Sequence, residues 1–419
     1  MSSTLDIAIV ADDLTGAADA GVQFCPYLGP MYMTGGDQIC LDSIDIQSKG
    51  VTVFTRTRSL TPVLAADTVY RVAKVIQDLA PRVVYKKIDS CLRGNLGSEL
   101  DALLSALHAS ASFVAPALPE QGRTTVNDCH KINGIPISET EIGRDPLCPV
   151  TESRASVLLA RQSQMMVGHI HLRHLEKDMD SLFEQVKKLL VKGCRHIVFD
   201  AQEDRHLDAI AALSQNRFEN VLLVGSAGLA RSLARVMTPK PDPKITVHHG
   251  QLKKWLFVCG SASRVLAEQA VMLAQSTNWS QVILDPGVLA ADKTSIQRKS
   301  LLTQLSTTWR TGSLIIRIDP HLDTETIQRP DQIMKGLADV VSSLLSLAVP
   351  DGLFLSGGDT AEKVMHRMNG SAILLCEEIL PGVMHGQIVG GPLNGLPVFT
   401  KPGAFGKPDT LMKLLHSLT

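Results

Sequence analysis

Short apolar runs ending in polar or glycine-rich segments alternate along this chain with stretches whose apolar positions recur every three or four residues. The runs predict strands at residues 7–11, 50–55, 83–86, 112–115, 196–200 and 221–224, and the longer period predicts helices over 62–79, 97–109, 178–192 and 207–214. After a break the rhythm resumes, with strands expected at 255–259, 281–284, 313–318, 352–355 and 397–400. Residues 23–37 show neither period and read as irregular. Strand and helix in alternation imply α/β architecture with mostly parallel sheets.

The break itself is Thr238-Pro-Lys-Pro-Asp-Pro-Lys244, whose alternating prolines hold a segment extended and semi-rigid. It predicts two domains, residues 1–244 and 245–419, each a mostly parallel sheet flanked by helices, with a ligand cleft between them. A length of 419 residues suits that number of cores. Hydrophobic residues make up 44% and charged residues 20%, as in ordinary globular proteins. A net charge of −1 argues against a nucleic-acid partner. No leader pattern opens the chain and no apolar run is long enough for a bilayer, so a cytoplasmic protein without a membrane partner is expected. The eight cysteines are scattered without a C-x-x-C pair, which disfavours zinc and a disulfide framework.

Candidate chemistry gathers where the runs end. The first passes directly into Asp12-Asp13-Leu14-Thr15-Gly16-Ala17, two carboxylates at the carboxyl end of a buried strand, where open α/β sheets bind ligands. That pair alone is compatible with metal, phosphate-acceptor or substrate-binding chemistry. Lys86-Lys87-Ile88-Asp89-Ser90-Cys91-Leu92-Arg93 follows another strand. There Lys87 and Arg93 suit a carboxylate and Asp89 and Ser90 suit hydroxyls, against the plainer reading of a solvated, salt-bridged loop. Arg56, Arg58 and the segment 119–125 add polar groups at two further strand ends. Cys91, with no histidine near it in sequence, reads as a small packed thiol. His169, His171 and His174 lack accompanying carboxylates and read as surface or core histidines, and His248-His249 as linker.

Three segments run strand, Gly/Ser turn, helix: 221–237, 257–273 and 353–368. Such junctions present helix N-terminal N–H groups to an anion, although Ser, Thr and Asp also simply cap helices. A loop with two lysines and two glycines, Lys401-Pro-Gly403-Ala-Phe-Gly406-Lys407, follows the last run. Neither G-x-x-x-x-G-K-[ST] nor G-x-G-x-x-G is present.

The motifs Ala11–Ala17, Lys86–Gly94 and Gln121-Gly-Arg123, with Gly260-Ser261, Ser356–Thr360 and Lys401–Gly406, resemble those of the four-carbon acid sugar kinases, in family order across nearly the whole chain. The resemblance implies an N-terminal domain for the sugar acid and a C-terminal domain for ATP, with Mg2+, yielding a tetronate 4-phosphate. D-threonate is the favoured substrate, with D-erythronate, L-threonate and 3-oxo-tetronate as alternatives; the sequence leaves the oligomeric state open, a homodimer being the commonest assembly. It implies substrate contacts from Asp12, Arg58, Lys87, Ile88, Asp89, Ser90 and Arg93, with Arg56 second to Arg58. Nucleotide contacts are expected from Ser261, Gly357, Gly358, Asp359, Thr360, Gly403 and Gly406. Asp12, Asp13, Asp89 and Asp359 are candidates for catalysis, and the metal ligands stay open. Cys91 stands where the family carries a small hydroxyl residue. Two readings from other classes compete: a phospho-receiver-like regulator, whose separate third aspartate and lysine are lacking, and a non-catalytic sugar-acid-binding protein.

Overall fold

The computed structural model describes residues 5–36, 48–145, 148–238, 240–242, 250–261, 263–318, 330–403 and 405–418. His248-His249 and part of the proline segment lie outside these residues. The chain forms two compact units, Met1–Ile245 and Thr246–Thr419.

In the first unit, β1 (Ile7–Ala11), β2 (Met31–Gly35), β3 (Gly50–Phe54), β4 (Val83–Lys87) and β5 (Ala111–Ala115) belong to one sheet. A small antiparallel sheet, β6 (Arg123–Val126), β7 (Cys129–Ile132) and β8 (Ile135–Pro136), stands apart. The main sheet continues with β9 (Val167–Ile170), β10 (His196–Phe199) and β11 (Val221–Gly225). Its order is β2-β3-β1-β4-β11-β5-β10-β9, and all neighbours are parallel. β1 is buried along its whole length, the reason its sequence is an unbroken apolar run.

Register brings the strand ends level. Ala11 lies beside Phe54 on β3 and Lys87 on β4, and Gly225 on β11 lies beside Lys87 and Ala115. From β1 the chain moves one way across the sheet, to β2 and β3; from β3 it crosses back over β1 to β4. Right-handed crossovers therefore put the helices Leu14–Gly21 and Pro62–Asp78 on opposite faces. The chain thus leaves adjacent strands toward opposite faces, and a crevice opens beyond β1, β3 and β4.

Residues 23–36, expected to be irregular, instead form the helical turn Cys25–Leu28 and the buried strand β2. Five residues entered through Gly29-Pro30 are too few to display a period, and burial on the sheet decides their conformation. Asp37, the last residue of that segment, lies outside the described residues.

The second unit contains β12 (Trp255–Cys259), β13 (Ser280–Leu284), β14 (Leu314–Ile318), β15 (Gly352–Ser356), β16 (Ala372–Leu380), β17 (Val383–Val389) and β18 (Pro397–Lys401). Strands β13-β14-β12-β15-β18 are parallel, while the β16–β17 hairpin adds antiparallel strands beyond β18. Cys259, Ser356 and Lys401 pair across β12, β15 and β18. The glycine-bearing segments that follow β12, β15 and β18 therefore leave adjacent strands at one level. Trp255, Phe257, Phe354 and Phe399 fill the core beneath them.

Candidate active site

Asp12 is the first residue after β1 and is 4% exposed. Its carboxylate meets Arg58 in a two-point contact, accepting from Nε at 2.7 Å and Nη2 at 3.1 Å. The same Nη2 lies 2.9 Å from Asp13 Oδ1. Burial alone would raise the Asp12 pKa, but Arg58, aided by Lys86, outweighs it and holds the carboxyl below its ordinary range. Arg58 faces Asp89 as well, and these three carboxylates keep its guanidinium charged despite its partial burial.

The loop that delivers Arg58 is shaped by backbone. Thr55 N donates to Ala11 O at 2.9 Å and Thr57 N to Asp12 O at 3.1 Å, while Asn95 Nδ2 holds Thr57 O and Leu60 O, each at 2.9 Å. Arg56 takes a left-handed φ of 58°, and its guanidinium lies 5.2 Å from the centre of the Phe54 ring. That turn sends Arg56 onto an aromatic face and Arg58 to the aspartates, which separates the two arginines that sequence left side by side.

Asp13 caps the helix Leu14–Gly21, accepting from Gly16 N at 2.8 Å and Thr15 Oγ1 at 2.7 Å. Gly16 leaves room for both groups: a Cβ there would lie 2.5 Å from Asp13 Oδ1 and 3.1 Å from Lys87 Nζ, so one of these side chains would have to shift. The Lys87 ammonium thus lies over the first turn of this helix, where it also donates to Ile88 O at 2.9 Å. Ile88 is buried, its N–H bonded to Gly225 O. Lys86 points the other way, as alternation on a strand demands, and pairs with the buried Glu99 at 2.5 Å. Burial raises the Glu99 pKa against the pull of that lysine.

Asp89 accepts from Arg93 Nε at 2.7 Å, and Arg93 Nη1 reaches Asp145 Oδ2 at 3.2 Å. Burial would raise Asp89, yet Arg58 and Arg93 hold it well below the usual carboxylate range. Arg93, expected to reach a substrate carboxylate, is thus engaged by two aspartates of its own chain, and it orders the Asp89 loop. Leu92, at φ 60°, makes the turn between Asp89 and Arg93.

Ser90 is held from the small sheet, a connection sequence reasoning missed. Its Oγ accepts from Arg123 Nη1 at 3.0 Å, and its carbonyl accepts from His130 Nε2 at 2.8 Å. Since a carbonyl only accepts, Nε2 carries the proton, and Nδ1 takes the Thr125 hydroxyl at 2.9 Å. Burial lowers the His130 pKa to about 4, so the ring stays neutral. Cys91 is buried and its thiol is pushed up to about 11 by that burial, which suits packing and not nucleophilic attack.

In the second unit Ser261, Gly357, Thr360 and Gly403 come together. A Cβ on Gly403 would overlap the Ser261 side chain, and Gly357 approaches both Ser261 and Thr360. The helix Gly358–Arg367 starts here, with Gly357 N bonded to Lys401 O at 2.9 Å and Asp359 exposed in its first turn. Gly406 packs on Thr410, whose Oγ1 accepts from Lys407 N at 2.8 Å. Close-packed glycines and a hydroxyl at a helix N-terminus suit a phosphate chain.

Two of the three histidines read as lacking a carboxylate, His169 and His171, do have one. His169 and His171 meet Asp200, supplied by the end of β10, with ligand atoms within 4.8 Å of one another. Asp200 also accepts from the N–H groups of Asn127, Asp128 and Leu172 besides His169 Nε2, all at 2.8–3.0 Å. Four donors occupy its lone pairs, so it organises loops.

Residues 7–233 match the family described as a sugar-binding N-terminal domain, and residues 256–411 that described as a nucleotide-binding C-terminal domain. The chain belongs to the four-carbon acid sugar kinase family. Similar members of that family include a D-threonate kinase of Salmonella typhimurium, 28% identical with 98% of each chain covered. A D-erythronate kinase of Heliobacterium modesticaldum is also 28% identical, covering 96% of this chain and 95% of its own. A solved Salmonella typhimurium LT2 structure shares the fold at a TM-score of 0.83, with 21% identity and 99% of each chain covered. Among the described residues, no helix is long and apolar enough to cross a membrane.

Proposed function

We propose that this sugar-acid kinase transfers the γ-phosphate of ATP to the 4-hydroxyl of a tetronate, with D-threonate favoured. The observation that carries the reading is Arg58 set among Asp12, Asp13 and Asp89 at level strand ends, in the unit that matches a sugar-binding domain. Carboxylates that stay ionised accept hydroxyl protons from a polyol, while Lys87 and the guanidinium edges supply donors for its carboxylate. Relatives named for D-threonate and for D-erythronate stand at the same identity, so stereochemistry rests on hydroxyl placement.

In this division of labour Asp12, Arg58, Lys87, Ile88, Asp89 and Ser90 bind and orient the acid, while Arg93 holds the Asp89 loop in place. Ser261, Gly357, Gly358, Asp359, Thr360, Gly403 and Gly406 receive the nucleotide. Phosphoryl transfer is loose and depends mainly on position and charge, so an aspartate need only orient the attacking hydroxyl. Asp12 and Asp89, both held low, fit that role better than that of a strong base. Mg2+ is usually held by one or two carboxylates together with substrate phosphates, and the exposed Asp359 beside the glycine turns fits that pattern. Bound there, the ion would neutralise charge on the phosphates.

The test is ADP release by purified protein given ATP, Mg2+ and each of D-threonate, D-erythronate, L-threonate and 3-oxo-tetronate. Phosphorus NMR of the product reads the position of the new ester. Release no faster than the ATP-only background with every acid would overturn the proposal.

A further inference from the structure

Lys401 looks in sequence like a phosphate-binding lysine, yet its side chain is fully buried and turned back on its own loop. Its Nζ donates to Pro402 O at 2.8 Å, Gly403 O at 3.3 Å and Phe405 O at 2.7 Å. An ammonium has three N–H groups, and all three are spent on these carbonyls. Gln269 of the helix Arg264–Thr277, also fully buried, reaches the same loop. Its Nε2 donates to Phe405 O at 3.0 Å and Lys407 O at 2.9 Å. Phe405 O is therefore gripped by both residues, and four carbonyls of one surface loop are held by two buried side chains.

Carbonyls turned inward leave a loop free to present other groups outward. Gly403 lies against Ser261 too closely for any side chain, and Gly357 N is fixed to the carbonyl of Lys401 itself. Burying an ammonium is costly, and burial draws Lys401 down to about 8. A fold spends that cost where a shape must be held.

We propose that Lys401 and Gln269 are positioning residues that clamp the carbonyls of Pro402, Gly403, Phe405 and Lys407 so that the backbone around them receives the nucleotide's phosphates, neither of the two touching the nucleotide. This rests on the assignment of ATP to the second unit. The clamp holds one loop conformation against alternatives, so its loss weakens nucleotide binding and leaves the acid site alone.

Steady-state kinetics on Lys401→Met and Gln269→Leu, with ADP calorimetry, test it. Expected is a rise in the KM for ATP of about 10- to 100-fold, as when the binding-competent loop conformation falls to roughly 10% to 1% of the population. The KM for the sugar acid and kcat at saturating ATP should stay within about twofold, since the interaction lost is uniform binding. In Lys401→Ala, ammonium chloride should restore ATP affinity where tetramethylammonium chloride does not, because only the smaller ion donates to the three carbonyls. An unchanged KM for ATP, or equal losses for ATP and the acid, overturns the clamp. Should Lys401→Met not fold, Gln269→Leu alone decides between these outcomes. Wild-type protein that binds no ADP would instead sink the nucleotide assignment, which separates the two failures.

Discussion

Arg58 reaches Asp12 across 46 positions of sequence and holds both of its carboxylate oxygens, at 2.7 and 3.1 Å. The contact makes one unit of two loops that follow neighbouring strands, and Asp13 and Asp89 face the same guanidinium.

Removing the guanidinium leaves Asp12 buried without its main partner. Arg58→Ala should lower stability by about 3 kcal/mol, as breaking a buried pair does, and should abolish measurable turnover. Arg58→Lys keeps a charge but cannot make the two-point contact, so a raised KM for the sugar acid with unchanged ADP affinity is expected. Thermal melts and calorimetry with ADP check both; lost ADP affinity in a folded Arg58→Lys protein would contradict the division between units.

Gly16→Ala adds one methyl where Asp13 and Lys87 leave no room. Lys87 or the Asp13 cap must shift, and cap loss costs about 1 kcal/mol. The expected result is a modest fall in Tm with a larger rise in the KM for the acid. Kinetics matching wild type would show that the packing around Gly16 has no bearing on the acid.

The depressed Asp12 and Asp89 make a signed prediction. Their folded pKa values lie below the unfolded value of about 3.9, so their contribution to stability is fully present above that pH. It is lost as pH falls further, through the folded values. Asp89→Asn should flatten the dependence of Tm on pH below about 4. A curve parallel to wild type in that range would refute it.

His130 acts in a different window. Buried and neutral with a pKa of about 4, against 6.5 ordinarily, it leaves the unfolded chain binding a proton that the folded chain does not. Stability from this group is therefore full above pH 6.5 and declines as pH falls toward 4. His130→Gln should remove that slope and, by loosening Ser90, raise the KM for the acid. NMR titration of the ring checks the pKa directly.

Much of the site was legible because strand ends are local events. An apolar run that stops at Asp12-Asp13, or at Lys87–Ser90, announces where a buried strand emerges, and the register then brings those ends level. Choosing Arg58 over Arg56 came from the family resemblance, since nothing within five residues distinguishes them; a left-handed turn at Arg56 separates them in space. Strand β2 and the brace from His130 to Ser90 left no periodic trace, because a five-residue strand and a three-strand flap are stabilised by what they pack on.

Sequence by itself determined the α/β class, the polar ends of the buried strands and the glycines that let backbone pack closely, since these follow from hydrophobic period and from local steric limits. Tertiary structure alone decided the partners. Arg93 turned to Asp89 and Asp145, Asp200 came to His169, and Lys401 turned inward to its own carbonyls. A charged side chain near a core goes wherever desolvation is best offset, and that depends on groups tens of residues away.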